Sequence, residues 1–241
     1  MEPFRTWIDL LFPRACAACG GPGAAPICES CRARISVRPA EGCCRVCGKT
    51  LVERDDALGT AEPICLGCRT RRPAFDLARS ALPFGGPVRP LVHRLKYSGG
   101  AWLAPALSEY LHGCVLAHWP AEAIDLVCPV PLHPARWRRR GYNQAELLAR
   151  ALARRLGLPF APRLLRRVRD TPTQTHRGAD QRRANVAGAF AVPPRALPRA
   201  YGRCILVVDD VMTTGATLDA AAAALKAAGA GRVLALSLAR D

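Results

Sequence analysis

Two adjacent carboxylates, Asp209 and Asp210, follow the apolar run Ile205-Leu206-Val207-Val208 and precede Val211, Met212, Thr213, Thr214, Gly215, Ala216 and Thr217. A short, β-branched apolar run is the pattern of a central strand in a parallel sheet, and ligands bind at the carboxyl ends of such strands. The turn that follows offers three hydroxyls, a glycine and the first N–H groups of a helix, a cradle suited to a phosphate monoester. Carboxylates repel phosphate, so the aspartates must face a different part of the ligand. Vicinal hydroxyls are the matching partner, because carboxylates accept hydrogen bonds. A sugar phosphate satisfies both ends. The plain alternative is a strand followed by a Thr-capped helix, yet adjacent aspartates at a buried edge are costly without a partner.

The second chemical signature is sulfur. Cys16 and Cys19, Cys28 and Cys31, Cys44 and Cys47, and Cys65 and Cys68 form four pairs with two residues between partners. Two thiolates at this spacing bind one metal ion in a tight turn, and two such turns complete the tetrahedral sulfur site that Zn²⁺ prefers. Gly20 and Gly48 follow the second cysteine of a pair, where the reversing backbone gains from a relaxed φ. Eight cysteines thus account for one or two structural zinc ions. Cys43 stands beside Cys44, and spacing does not decide between them. An iron–sulfur cluster uses the same ligands and stays open. A disulfide framework fits poorly with a chain showing no secretion signal. Cys114, Cys128 and Cys204 lie in apolar contexts and read as core.

The elements that must position these groups follow from pattern. Nine of the twelve cysteines lie between Cys16 and Cys68, which sets a boundary near Arg71-Arg72-Pro73 and gives a Cys-rich module over 1–72 and a second domain over 73–241. In the second domain, 77–83 and 126–130 read as buried strands, and 91–97 and 104–118 as helices. Asn143 caps a helix with an apolar stripe at Ala145, Leu148, Leu152 and Leu156, stopped by Gly157. The polar stretch 170–184 has no apolar period and reads as a mobile loop, 187–192 as a strand, and 193–202 as a turn-rich connector. After the strand 205–208 come a helix from 216 to about 228 and a closing strand over 232–238. The order is that of an α/β fold with a parallel sheet flanked by helices.

The chain has 241 residues, of which 50% are apolar and 22% charged, which excludes a wholly disordered protein. No apolar run approaches the ~20 residues that span a bilayer, so no membrane insertion is expected. Met1 to Pro13 carries Glu2 and Asp9 without a cationic start, does not read as a signal peptide, and leaves a cytoplasmic location as the expectation. The formal charge is +16, and residues 131–200 alone hold 16 arginines against three acids. With 32 arginines and three lysines in the chain, the arginine excess is partly compositional. Its concentration in one segment still marks an anion site.

The block 205–217 resembles the phosphoribosyl-pyrophosphate (PRPP) motif of type I phosphoribosyltransferases. The wider chain is similar to the ComF/GntX family through its CxxC module, Leu95-Lys96-Tyr97, Pro129-Val130-Pro131-Leu132, Arg140-Gly141-Tyr142-Asn143-Gln144 and Asn185-Val186. The resemblance implies a type I phosphoribosyltransferase-like sheet preceded by a zinc-ribbon-like module. Asp209 and Asp210 would be the catalytic carboxylates on the ribose 2′- and 3′-hydroxyls, with the segment through Val211 and Met212 leading into Thr213 to Thr217 around the 5′-phosphate. In such transferases the loop after the strand at 126–130 holds pyrophosphate, with Mg²⁺, which makes Arg136, Arg140 and Lys96 the candidates. A flexible lid is implied over 169–183, giving Gln174, Arg177, Arg183 and Asn185 as lid residues, and His176 as a possible proton carrier.

Two functions compete. One is Mg²⁺-dependent transfer of phosphoribosyl from PRPP to an unidentified nitrogen acceptor. The other is a non-catalytic binder of PRPP or nucleotides whose basic face holds single-stranded DNA. The family resemblance links either to DNA uptake and natural competence, with other competence proteins as partners. Few aromatics (Trp137, Tyr142, Phe160, Phe190) interleave with the basic segment, which weighs against a stacking platform. A third, weaker reading leaves binding to the zinc module alone.

Overall fold

A computed structural model of the chain describes residues 15–23, 26–39, 41–51, 63–97, 99–171 and 179–241. Its central sheet has four parallel strands: β1 (Leu77–Pro83), β2 (Leu126–Pro129), β5 (Cys204–Met212) and β6 (Arg232–Arg240), in the spatial order β1-β6-β5-β2. Strand β5 is therefore central. Both its faces are covered, with Leu206 and Val208 in one apolar cluster and Ile205 and Val207 in the other. That two-sided burial is why the run carries no polar alternation.

Helices α3 (Val88–Tyr97), α4 (Ala104–His118) and α6 (Gln144–Leu156) pack on the first face, and α9 (Ala216–Ala227) on the second. The start of α6 is as the sequence indicates: Asn143 Oδ1 accepts from Ala145 N at 3.1 Å, and Gly157 closes the helix at φ 66°. The Asn143 amide also donates to Val130 O at 3.0 Å, which pins the loop after β2 to this helix. Short α5 (Pro134–Arg140) lies between them.

Three expectations change. Residues 179–186 form a helix, α7 (Ala179–Val186), inside the stretch read as a mobile loop. Its carbonyl end is satisfied from outside, since Arg169 Nη2 donates to Asn185 O and Ala187 O at 3.0 and 2.7 Å. So short a helix depends on such tertiary contacts, and it also packs against α9 with Val186 buried. The strand expected over 187–192 shrinks to β4 (Phe190–Ala191), paired antiparallel with β3 (Arg166–Arg167). The connector 193–202 contains a one-turn helix, α8 (Leu197–Ala200).

The cysteine turns dock on the sheet rather than standing clear of it. Short helices α1 (Glu29–Ala33) and α2 (Leu66–Thr70) follow Cys28 and Cys65. Ala78 N of edge strand β1 donates to Val46 O at 2.7 Å, and Arg79 Nη1 reaches Arg45 O at 2.9 Å. Gly48, at φ 67°, lies so close to this strand that an added Cβ would meet Ala78 O at 2.8 Å. Cys16 and Cys31 join the apolar cluster on one face of the sheet, and Cys44, Cys47, Cys65 and Cys68 join the other. The two turns thus clasp opposite faces across β1, and the edge is covered as an exposed strand requires. Among the described residues no helix is long and apolar enough to cross a membrane.

Candidate functional site

Strand β5 runs on past its apolar run to Met212, pairing Asp209 with Ser237 and Met212 with Arg240. Both aspartates consequently sit inside the sheet edge and are buried. Asp209 Oδ1 accepts from Asp210 N at 2.8 Å, and Asp210 Oδ1 from Val211 N at 2.7 Å. Lys96, at the end of α3, places Nζ 3.1 Å from Asp210 Oδ2. Burial, reinforced by the neighbouring Asp210 charge, raises the Asp209 pKa to about 7.

Beyond the aspartates, Thr213 and Thr214 lead to Gly215 at φ 80°, and α9 begins at Ala216. The left-handed φ is what favours glycine at this turn, and a side chain at Gly215 would also press on the terminal methyl of Met212, Cε at 2.6 Å. A cavity of about 400 Å³ opens at this edge, lined by Asp209, the turn from Thr213 to Thr217, and three cations, Lys96, Arg136 and Arg167. Burial lowers the pKa of Arg136 and Arg167, and both remain cationic at neutral pH.

The residues singled out from the sequence separate here. Lys96 and Arg136 face the cavity, the first on Asp210 and the second donating Nη2 to Thr171 O beside Asp170. Arg140 does not line it; its guanidinium bonds Tyr97 Oη at 3.1 Å and Gln144 Oε1 at 3.2 Å, and stacks over the Tyr97 ring. Asn185 lines the cavity, whereas Arg183 lines a neighbouring one. Gln174, His176 and Arg177 lie outside the described residues. Arg167 was not singled out. It faces the cavity, bonds Thr171 Oγ1 and stacks over Phe190 at 5.4 Å, and nothing in a segment so rich in arginine distinguishes it.

The cysteines assemble into two sets, Cys16/Cys19/Cys28/Cys31 and Cys44/Cys47/Cys65/Cys68, each with its sulfurs within 4.8 Å of one another. Cys19 and Cys28 Sγ are 3.9 Å apart, and Cys47 and Cys65 Sγ 3.7 Å. Tetrahedral zinc with sulfur at ~2.3 Å spaces its ligands by about 3.8 Å, so both sets fit structural zinc. Cys43 turns away toward Pro39 O, which settles the choice in favour of Cys44. The second set is fully buried, while Cys19 of the first is exposed.

Comparison with known proteins accords with both halves. A phosphoribosyl transferase domain model matches residues 143–241, and a double zinc ribbon domain model matches 7–69. Competence protein F of Haemophilus influenzae is 30% identical over 217 residues, covering 89% of this chain and 90% of that protein. The DNA utilization protein YhgH of Salmonella typhimurium is 33% identical over 217 residues, covering 86% and 93%. Competence protein ComFC of Bacillus subtilis is 28% identical over 205 residues, covering 83% and 77%. A phosphoribosyltransferase fold carrying a double zinc ribbon, with such relatives along most of its length, makes this chain a member of the ComF/GntX family.

Proposed function

We propose that the cavity at the carboxyl end of β5 binds PRPP and that the protein transfers its phosphoribosyl group to a nitrogen nucleophile. The observation that carries this is the union, in one cavity, of a buried carboxylate strand end, a hydroxyl- and N–H-rich turn at a helix start, and three cations. Thr213 to Thr217 receive the 5′-phosphate, and Asp209 and Asp210 accept from the ribose hydroxyls. Lys96, Arg136 and Arg167 face the diphosphate, whose charge grows as the bond from C1 to oxygen breaks and that from C1 to nitrogen forms. Mg²⁺, arriving with PRPP, supplies further positive charge to the diphosphate. Arg140 acts indirectly, by orienting Tyr97 and Gln144. Cysteines retained as thiolate ligands suit a reducing compartment, and we place the protein in the cytoplasm.

The test is pyrophosphate release from PRPP and Mg²⁺ across a panel of nucleobases and amines. Release that depends on one acceptor supports the reading. PRPP binding without release from any acceptor replaces it with a non-catalytic PRPP sensor.

A second reading is favoured by one surface. On α5, Trp137 is 51% exposed beside the exposed Arg138 and Arg139, and Tyr97 is exposed under Arg140. Aromatic faces interleaved with cations suit single-stranded nucleic acid, and relatives of this chain are named for competence and DNA utilization. Replacing Arg138 and Arg139 by Gln would reduce the salt dependence of DNA binding by about two phosphate contacts. An unaltered slope rejects this surface.

A further inference from the structure

Arg240 closes β6 and is only 7% exposed. Among the described residues no carboxylate pairs with it, a costly state for a guanidinium. Its partners lie on two sides. Toward the ribbon, Nη1 donates to Cys47 O at 2.5 Å and Nη2 lies 3.8 Å from Cys47 Sγ. Toward the sheet, Nη1 lies 3.4 Å from Sδ of Met212, its register neighbour on β5.

Four thiolates around one divalent ion carry a net double negative charge. The first cysteine set is part-exposed, so water screens that charge. The second set is wholly buried, and the Arg240 guanidinium in contact with it is placed to balance that charge. The same guanidinium touches Met212, whose side chain closes against Gly215 in the phosphate turn. Behind that turn lies a second cavity of about 270 Å³, lined by Cys65, Cys68, Phe75, Thr213, Thr214 and Arg240. The back of the turn is therefore not filled by packing. It rests on Met212 and Phe75 at Gly215, with Arg240 behind Met212, and on the bond from Ala74 N to Asp219 Oδ1 at 2.6 Å.

We propose that Arg240 is a positioning residue that couples the second metal site to the phosphate turn. With metal present, the thiolate charge holds the guanidinium in place, and the guanidinium holds Met212 against Gly215. Without it, the buried cation loses its counter-charge and the turn loses its backing. Occupation of the turn and of the second metal site then support each other, as linkage requires. The inference rests on the reading that this turn binds a sugar phosphate.

The test uses the full chain loaded with Co²⁺ in place of zinc, with ribose 5-phosphate as the probe. Saturating the wild type should perturb the thiolate–cobalt absorption bands. Arg240→Met should abolish that perturbation and weaken ribose 5-phosphate by about tenfold or more, with Arg240→Lys recovering part of both. Arg240→Met that keeps wild-type affinity and wild-type spectral response overturns the coupling while leaving the phosphate turn assigned. Should Arg240→Met not fold, the wild-type spectrum decides: ribose 5-phosphate bound with no change in the bands also overturns it. No binding of ribose 5-phosphate by the wild type overturns both the coupling and the reading of the turn beneath it.

Discussion

Lys96 Nζ and Asp210 Oδ2 stand 3.1 Å apart, and this ion pair joins the end of α3 to the carboxylate end of the central strand. The lysine is 22% exposed and the aspartate 7%, so the pair is shielded from water and salt far more than a surface bridge. The pair ties the Asp210 carboxylate to α3 while its neighbour Asp209 lines the cavity.

Removing the lysine alone leaves that carboxylate buried without a counter-charge. Lys96→Met should cost about 3 kcal/mol of folding stability in urea titrations, and adding Asp210→Asn should recover most of the loss. Strictly additive effects would show that the pair has no energetic role.

The raised pKa of Asp209 sets a pH dependence of known sign. Its folded pKa, about 7, exceeds the usual carboxylate value of 3.8, so the folded state binds the proton more tightly. Its contribution to stability is fully present below the lower value and is lost as pH rises through the upper one. Asp209→Asn should therefore be more stable than wild type at pH 8, by up to a few kcal/mol, and the difference should vanish toward pH 4. Melting curves of both proteins across that range check it; a pH-independent difference contradicts the assignment.

The two cysteine sets should differ in lability. Metal analysis is expected to find two zinc ions per chain. A chelator should empty the set containing exposed Cys19 first, and release from the fully buried set should be slower and accompany loss of structure. Simultaneous release in a single phase would contradict the distinction.

Asn143 carries two jobs with one side chain, capping α6 and holding Val130 O. Asn143→Ala should cost about 2 kcal/mol or more, combining a lost cap with an unsatisfied carbonyl. Asn143→Ser, which keeps an acceptor for the cap, should recover roughly half. Equal losses for the two variants would assign the whole effect to Val130.

What could be read from the sequence was whatever produced a local pattern. The run at 205–208 is apolar on both faces because both are covered, and Asn143 and Gly157 mark the ends of α6 by their own backbone preferences. The continuation of β5 through Asp209 to Met212 left no such mark, since pairing with β6 holds polar residues in the strand. The helix at 179–186 was hidden for a related reason, its end being satisfied by Arg169 from outside the segment. Arg167 and Arg240 are two arginines among 32, and only the tertiary arrangement brings one to the cavity and the other between Cys47 and Met212. The four CxxC pairs were legible as metal turns, but their grouping and the choice of Cys44 over Cys43 needed three dimensions.

The central claim, that the carboxyl end of β5 is a PRPP site, is tested most directly by calorimetric titration with PRPP and Mg²⁺. The wild type should bind one PRPP per chain, and Asp209→Asn with Asp210→Asn should abolish binding while the variant keeps both zinc ions and still melts in one cooperative transition. Equal affinity in the double variant would contradict the assignment.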